Sequence, residues 1–264
     1  MKRLLIALVV VACAGSAVWQ YRRSQAEPVS SVAPPPTPSP EWLKRLYSQN
    51  PKEVEGATRE LEQLGVGALP IIQQTLRDDH SEAETLKAAL KAAGLLGRRA
   101  SPIVSDVADV LAEPALTVEA ALALSFMGPA ALPPLRQALS SKDPIVRREA
   151  LRSIGKLKER APLDGDVVVP LLVARLKDAD PGVRAVAATY VGIIHERPAE
   201  SIPALIAGLA DQDPEVRRAA AAALGSFEPA VAAPALPALR KASGDRNPDV
   251  AREAGQTIVK LQTK

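Results

Sequence analysis

Histidine and cysteine side chains are few and scattered in this 264-residue chain. The chain has two histidines, His80 and His195, and one cysteine, Cys13. Such residues ligate metals or act as acids, bases and nucleophiles, but a typical zinc or iron site needs several of them together. The chain also lacks Gly-x-Ser-x-Gly, His-Glu-x-x-His and phosphate-loop motifs. The sequence therefore predicts no catalytic residue, no metal site, no cofactor and no small-molecule substrate.

The pair His195-Glu196 is similar to the His-Glu pairs of deoxyhypusine hydroxylase, a di-iron enzyme. That enzyme requires several such pairs facing one another. This chain has one His-Glu pair, and its other repeats, described below, carry none at the equivalent positions. The preferred interpretation of His195 is a polar residue near a helix end.

Arg148, Arg152 and Lys156 recur every four residues, so they form one stripe along a helix. The simpler interpretation is a solvated face. The alternative is a basic strip that meets an acidic partner or lipid headgroups.

These residues belong to an internal repeat. An Asp or Asn followed by Pro recurs at intervals of 37, 33 and 34 residues, each time with Val two residues after the Pro. Asp or Asn accepts hydrogen bonds from the first-turn amides of a helix, and Pro is well suited to the first helical position. Each copy therefore predicts a helix start. The four copies begin at Asp143, Asp180, Asp213 and Asn247.

A second periodic signal comes from prolines that precede or open apolar runs, at intervals of 31 to 37 residues. These runs are interpreted as partner helices, so residues 41–264 are predicted to form about fourteen helices in seven pairs. One pair cannot bury its own apolar face, but stacked pairs can. The expected fold is an all-α solenoid, a right-handed α-α superhelix. The prolines are Pro70, Pro102, Pro133, Pro170, Pro203 and Pro237.

The pattern Asp-Pro-x-Val-Arg-x-x-Ala-x-x-x-Leu-Gly, followed by a Pro-x-Leu helix, resembles the HEAT repeat, in the short bacterial form also seen in phycobilisome lyases. The resemblance implies that the Asp-Pro helices line the concave side and that Asp and Arg of successive repeats form a ladder. A structural role, with the Asp side chains as caps, is preferred for this ladder over direct binding. By position, its members are Asp143, Arg147, Asp180, Arg184, Asp213 and Arg217.

The first 26 residues have the layout of an export signal or membrane anchor, because Lys2 and Arg3 precede an apolar run from residue 4 to 19. Three fates are open. The run stays as an anchor, a peptidase cleaves after Ala26, or Cys13 is lipidated in a lipobox-like sequence. A Pro- and Ser-rich linker follows at residues 27–40.

Residues 1–40 hold the whole basic excess, since 29 basic and 29 acidic residues remain in the body. A nucleic-acid partner is therefore not expected. The leading hypothesis is a non-enzymatic scaffold that binds a protein on its concave surface. Its N-terminal segment would tether it to the inner membrane of a bacterium, facing the periplasm, or mark it as an exported protein or lipoprotein. The alternative is a lyase-like or chaperone-like helper for chromophore or cofactor attachment.

Overall fold

The computed structural model describes residues 41–263, and every regular element in that range is helical. The predicted signal or anchor, the linker and Cys13 lie outside these residues. Within residues 41–263, none of the helices combines the length and the apolar character that crossing a membrane requires.

Fifteen α-helices are present in the described range, with five short 3₁₀ segments between some of them. They are α1 (Glu41–Arg45), α2 (Pro51–Leu64), α3 (Leu69–Arg77), α4 (Ala83–Leu96), α5 (Val104–Asp109), α6 (Thr117–Leu124), α7 (Leu132–Ala138), α8 (Pro144–Arg160), α9 (Gly165–Arg175), α10 (Pro181–Ile194), α11 (Pro198–Gly208), α12 (Pro214–Leu224), α13 (Pro229–Ala232), α14 (Leu236–Ala242) and α15 (Pro248–Gln262).

The helices form two layers. The inner layer contains α2, α4, α6, α8, α10, α12 and α15, and the outer layer contains α3, α5, α7, α9, α11 and the broken helix α13–α14. From α4 onward, successive inner helices contact each other extensively, whereas successive outer helices touch only sparsely. Closely packed helices lie on the inside of a curved stack, so the inner layer is the concave side. The predicted all-α solenoid of about seven helix pairs is confirmed.

The Asp-Pro and Asn-Pro motifs begin inner helices. Oδ1 of Asp143 accepts a hydrogen bond from the Ile145 N–H at 2.8 Å, and the three later copies accept equivalent bonds. A fifth start, outside the four copies of the motif, is Asn50, which caps α2 by accepting from the Lys52 N–H at 3.1 Å. The two inner helices α4 and α6 begin without a side-chain cap.

The periodic prolines lie in the outer layer, but not all of them open a helix. Pro70, Pro133 and Pro237 lie in the first turn of their helices, as expected. Pro170 and Pro203 instead lie inside α9 and α11, which begin five residues earlier, at Gly165 and Pro198. In α9 and α11, the residues before the proline belong to the same α-helix as those after it. At the pairs that contain Pro133 and Pro237, a 3₁₀ segment precedes the proline.

Small residues let the inner helices approach one another closely. A Cβ atom on Gly192 of α10 would lie 2.6 Å from the Cα of Ala223 on α12. On α8, a Cβ atom on Gly155 would lie 2.0 Å from Cδ1 of Tyr190, so this ring lies directly against the α8 backbone. One continuous apolar core runs through the stack, and α1 closes its first end with Trp42 and Leu43.

Candidate interaction surface

Three arginines of the inner layer link successive repeats. Nε and Nη2 of Arg147 donate to the two carboxylate oxygens of Asp178 at 2.9 and 2.6 Å. Arg184 binds Asp211 and Arg217 binds Asp245 in the same way. In each case Nη1 donates to two carbonyl oxygens of the loop that precedes its own helix. Each guanidinium therefore holds its own loop and the next repeat at once.

The acidic members of this ladder differ from those expected. The resemblance implied that the capping residues, such as Asp180 and Asp213, are the ladder acids, whereas the arginines bind carboxylates two residues earlier. The reason is that the capping oxygens already accept first-turn amides. The carboxylates of Asp178, Asp211 and Asp245 also accept the N–H of the capping residue that follows them. Their Asp-x-Asp-Pro or Asp-x-Asn-Pro spacing was visible in the sequence and could have identified them.

The charges of the ladder are fixed by their partners. The hydrogen bond to Asp245 raises the pKa of Arg217 above its ordinary value, despite partial burial. The hydrogen bond from Arg217, with the Asn247 N–H, holds the pKa of Asp245 below its ordinary value. For Asp211, burial raises the pKa, but the hydrogen bonds from Arg184 and the Asp213 N–H outweigh it, so its pKa is lowered. The guanidinium groups of the ladder arginines are therefore already paired with carboxylates of this protein.

The ladder ends at its first and last repeats because another residue replaces the aspartate or the arginine there. Ser141 stands where the later repeats have the pairing aspartate, and its Oγ accepts the Asp143 N–H at 3.2 Å. At the other end, Ala251 stands where α8, α10 and α12 carry arginine. This form of inter-repeat link therefore joins α8 through α15.

The basic stripe on α8 is partly neutralised. Glu149 is only 5% exposed, and its carboxylate accepts from Nε of Arg148 at 3.3 Å and from Nη1 of Arg152 at 3.0 Å. Two guanidinium groups thus share one carboxylate. Lys156 is half-buried, and it has neither an ion pair nor a hydrogen bond within residues 41–263.

An apolar groove lies where α4 and α6 meet on the inner face, and α8, which carries the stripe, packs against α6. Its cavity has a volume of about 440 Å³. Leu122 and Phe126 are 44% and 41% exposed, and Tyr47 and Leu95 are similarly exposed. We call this surface the inner groove, defined by Tyr47, Lys87, Lys91, Leu95, Leu122 and Phe126.

Cations border the apolar side chains of the groove. Nζ of Lys91 lies 5.9 Å from the centroid of the Tyr47 ring and donates to the Leu46 carbonyl at 2.7 Å. The guanidinium of Arg160 lies 4.1 Å from the Phe126 ring centroid, a cation–π distance. Lys87 pairs with Glu119 at 3.6 Å. The groove thus combines exposed aromatic and aliphatic groups with positive charge.

The two histidines occupy loops of different repeats. His195 ends α10 in the left-handed conformation, with φ 40°, and its Nδ1 lies 2.9 Å from the Ile193 carbonyl oxygen. The neighbouring Glu196 pairs with Lys158 at 2.9 Å. His80 lies in the exposed loop between α3 and α4. Among residues 41–263, there is no group of three or more His, Cys, Asp or Glu side chains placed to hold a metal ion.

Helix pairs that stack in a row, each in contact mainly with its neighbours, define the class of helical repeat proteins. The family model for HEAT repeats matches residues 107–165 and 169–259, which is more than half of the chain, so the chain belongs to the HEAT-repeat family. Comparison with curated protein sequences gives no match.

Solved structures are similar to this chain at low sequence identity, and Kap121p shares its fold. Kap121p superposes with a TM-score of 0.60 at 15% identity, over 80% of this chain and 28% of Kap121p. Kap121p bound to Nup53p gives a TM-score of 0.55 at 16% identity, with the same coverage. A designed armadillo repeat protein gives 0.45 at 21% identity, over 84% of this chain and 99% of the designed protein. This chain thus spans less than a third of the length of Kap121p.

Proposed function

We propose that this protein is a non-enzymatic scaffold that binds a protein partner on its inner face. The observation that carries the proposal is the inner groove. Four large apolar side chains are gathered there around one cavity, and each of them is at least 39% exposed. Exposed apolar clusters with a charged border are typical of protein-binding surfaces.

The fold supports this proposal. HEAT and armadillo solenoids commonly serve as interaction scaffolds, and Kap121p has been solved bound to Nup53p. Because the ladder is internally satisfied, the binding surface is assigned to the groove and the adjacent stripe. The capping and ladder residues keep a structural role.

Site-specific photo-crosslinking tests the proposal. A photoreactive phenylalanine analogue replaces Leu122 in the full-length chain, in the cells that make it. The matched control places the same analogue at Val167, which is 44% exposed on the outer helix α9. We expect protein adducts from position 122 and few from position 167. Equal yields, or no adduct from either position, would refute the proposed function.

The proposed location of the scaffold is the cell envelope, held by an uncleaved anchor at residues 4–19. The support is the apolar run behind Lys2 and Arg3, about 24 Å long as a helix. Membrane fractionation with intact-mass measurement tests it. A membrane-bound chain with its N-terminal segment retained is expected. Cleavage after Ala26 or a lipid on Cys13 would replace the anchor by one of the other two fates.

A further inference from the structure

We infer that the inner groove and the basic stripe together bind a short extended segment of an acidic protein, which carries one apolar anchor and nearby carboxylates. The basic stripe is Arg148, Arg152 and Lys156. The inference rests on the proposed function and adds the chemistry of the partner.

The groove selects the apolar anchor. A cavity of about 440 Å³ lies between exposed Leu95 and Leu122, with Tyr47 and Phe126 also lining it. An apolar side chain that enters it removes apolar surface of both molecules from water. Large side chains buried at the centre of an interface supply most of the binding energy.

The surrounding charge selects carboxylates. Lys91 and Arg160 contact aromatic rings and neutral oxygens, so their charges have no carboxylate partner within residues 41–263. Lys156 has no partner in that range, and Arg148 and Arg152 share the single charge of Glu149. A body with 29 basic and 29 acidic residues thus concentrates positive charge beside its exposed apolar patch. Complementary charge favours an acidic segment and disfavours a basic one.

The layer geometry sets the spacing in the bound segment. Packed helices lie about 8–10 Å apart, so the stripe on α8 is about 12–15 Å from the cavity between α4 and α6. An extended chain advances about 3.3–3.6 Å per residue. The carboxylates should therefore lie roughly four residues from the anchor.

Selection from a library of short random peptides tests this inference with the full-length protein. Bound peptides are counter-selected against two variants, Leu122→Ala and Lys156→Glu. Matched controls are Val167→Ala on the outer helix α9 and Lys177→Glu in the loop that follows it. Both control positions are exposed. Circular dichroism of each variant checks that it is folded.

We expect enriched peptides with one large apolar residue and Asp or Glu about four positions away. The groove variant Leu122→Ala and the stripe variant Lys156→Glu should each weaken binding of an enriched peptide about fivefold, and the controls should not. Basic or uncharged enriched peptides, or equal binding to Lys156→Glu, would overturn the inference. A second result would also overturn the inference. If the wild type binds anionic lipid vesicles, Lys156→Glu does not, and the enriched peptides show no preference for Asp or Glu, the stripe binds lipid. Adducts from position 122 would still support the scaffold function in those cases.

Discussion

Arg184 and Asp211 are 27 residues apart in the chain, yet Nε and Nη2 of Arg184 both donate to the Asp211 carboxylate at 2.8 Å. The same carboxylate accepts the N–H of Asp213, which caps α12. One side chain thereby connects two repeats and the start of a helix. Both members of the pair are largely shielded from water, so removing one of them would leave the charge of the other uncompensated.

Replacing Asp211 with Asn is expected to destabilise the fold by about 2 kcal/mol, because the shielded Arg184 loses its counter-charge. Urea unfolding of the full-length chain measures the loss. The control is Asp249→Asn. Asp249 pairs with Arg252 on the surface and is 52% exposed, so the cost should stay below about 0.5 kcal/mol. Equal losses in the two variants would contradict the structural role of the ladder.

The contribution of Asp245 should depend on pH. Its pKa is lowered in the folded protein, chiefly by the hydrogen bond from Arg217. A lowered folded pKa means that the stabilisation is complete above the unfolded pKa, about 3.9, and is lost as the pH falls through the folded value. The difference in unfolding free energy between wild type and Asp245→Asn should be constant near neutral pH and shrink below about pH 4. Urea titrations over this range check the sign, and a difference that grows in acid would be inconsistent with it.

Gly155→Ala should destabilise the protein by about 1–3 kcal/mol, because a Cβ atom would collide with the Tyr190 ring on α10. Gly255→Ala on α15 is the matched control, since its Cβ atom would meet nothing within 4 Å. That control should be neutral or stabilise by up to about 1 kcal/mol through its higher helix propensity. Thermal unfolding of both variants gives the comparison. A Gly155→Ala variant as stable as the control would show that the close approach of α8 and α10 is not required.

Two substitutions at helix caps should change the stability of the fold in opposite directions. Asn50→Ala should cost about 1 kcal/mol, because the Lys52 N–H loses its side-chain acceptor. At the start of α4, Glu82 has extended backbone angles but makes no side-chain cap. Glu82→Asp should therefore stabilise the fold by about 0.5–1 kcal/mol, since a shorter carboxylate reaches the first-turn amides. Denaturant midpoints that move in the same direction would speak against this account of the helix starts.

The sequence alone determined the repeat and the starts of α8, α10, α12 and α15. An Asp or Asn cap and the following Pro act within one turn, so their effect is local and can be identified without neighbours. Asn50 obeys the same rule and was missed only because its Pro is not followed by Val at the usual distance. The prolines marked the outer helices correctly, but Pro170 and Pro203 did not mark their first residues.

Only the tertiary structure decided which groups meet between repeats. Arg147 could pair with any of several nearby aspartates, and the stacking of the next repeat brings Asp178 to it, 31 residues away. The inner groove likewise combines Tyr47 with side chains of α4 and α6, and no local pattern distinguishes exposed Leu122 from buried Leu124 as part of a binding surface. Such contacts depend on the spacing and rotation of successive helix pairs, which the packing of the whole stack sets.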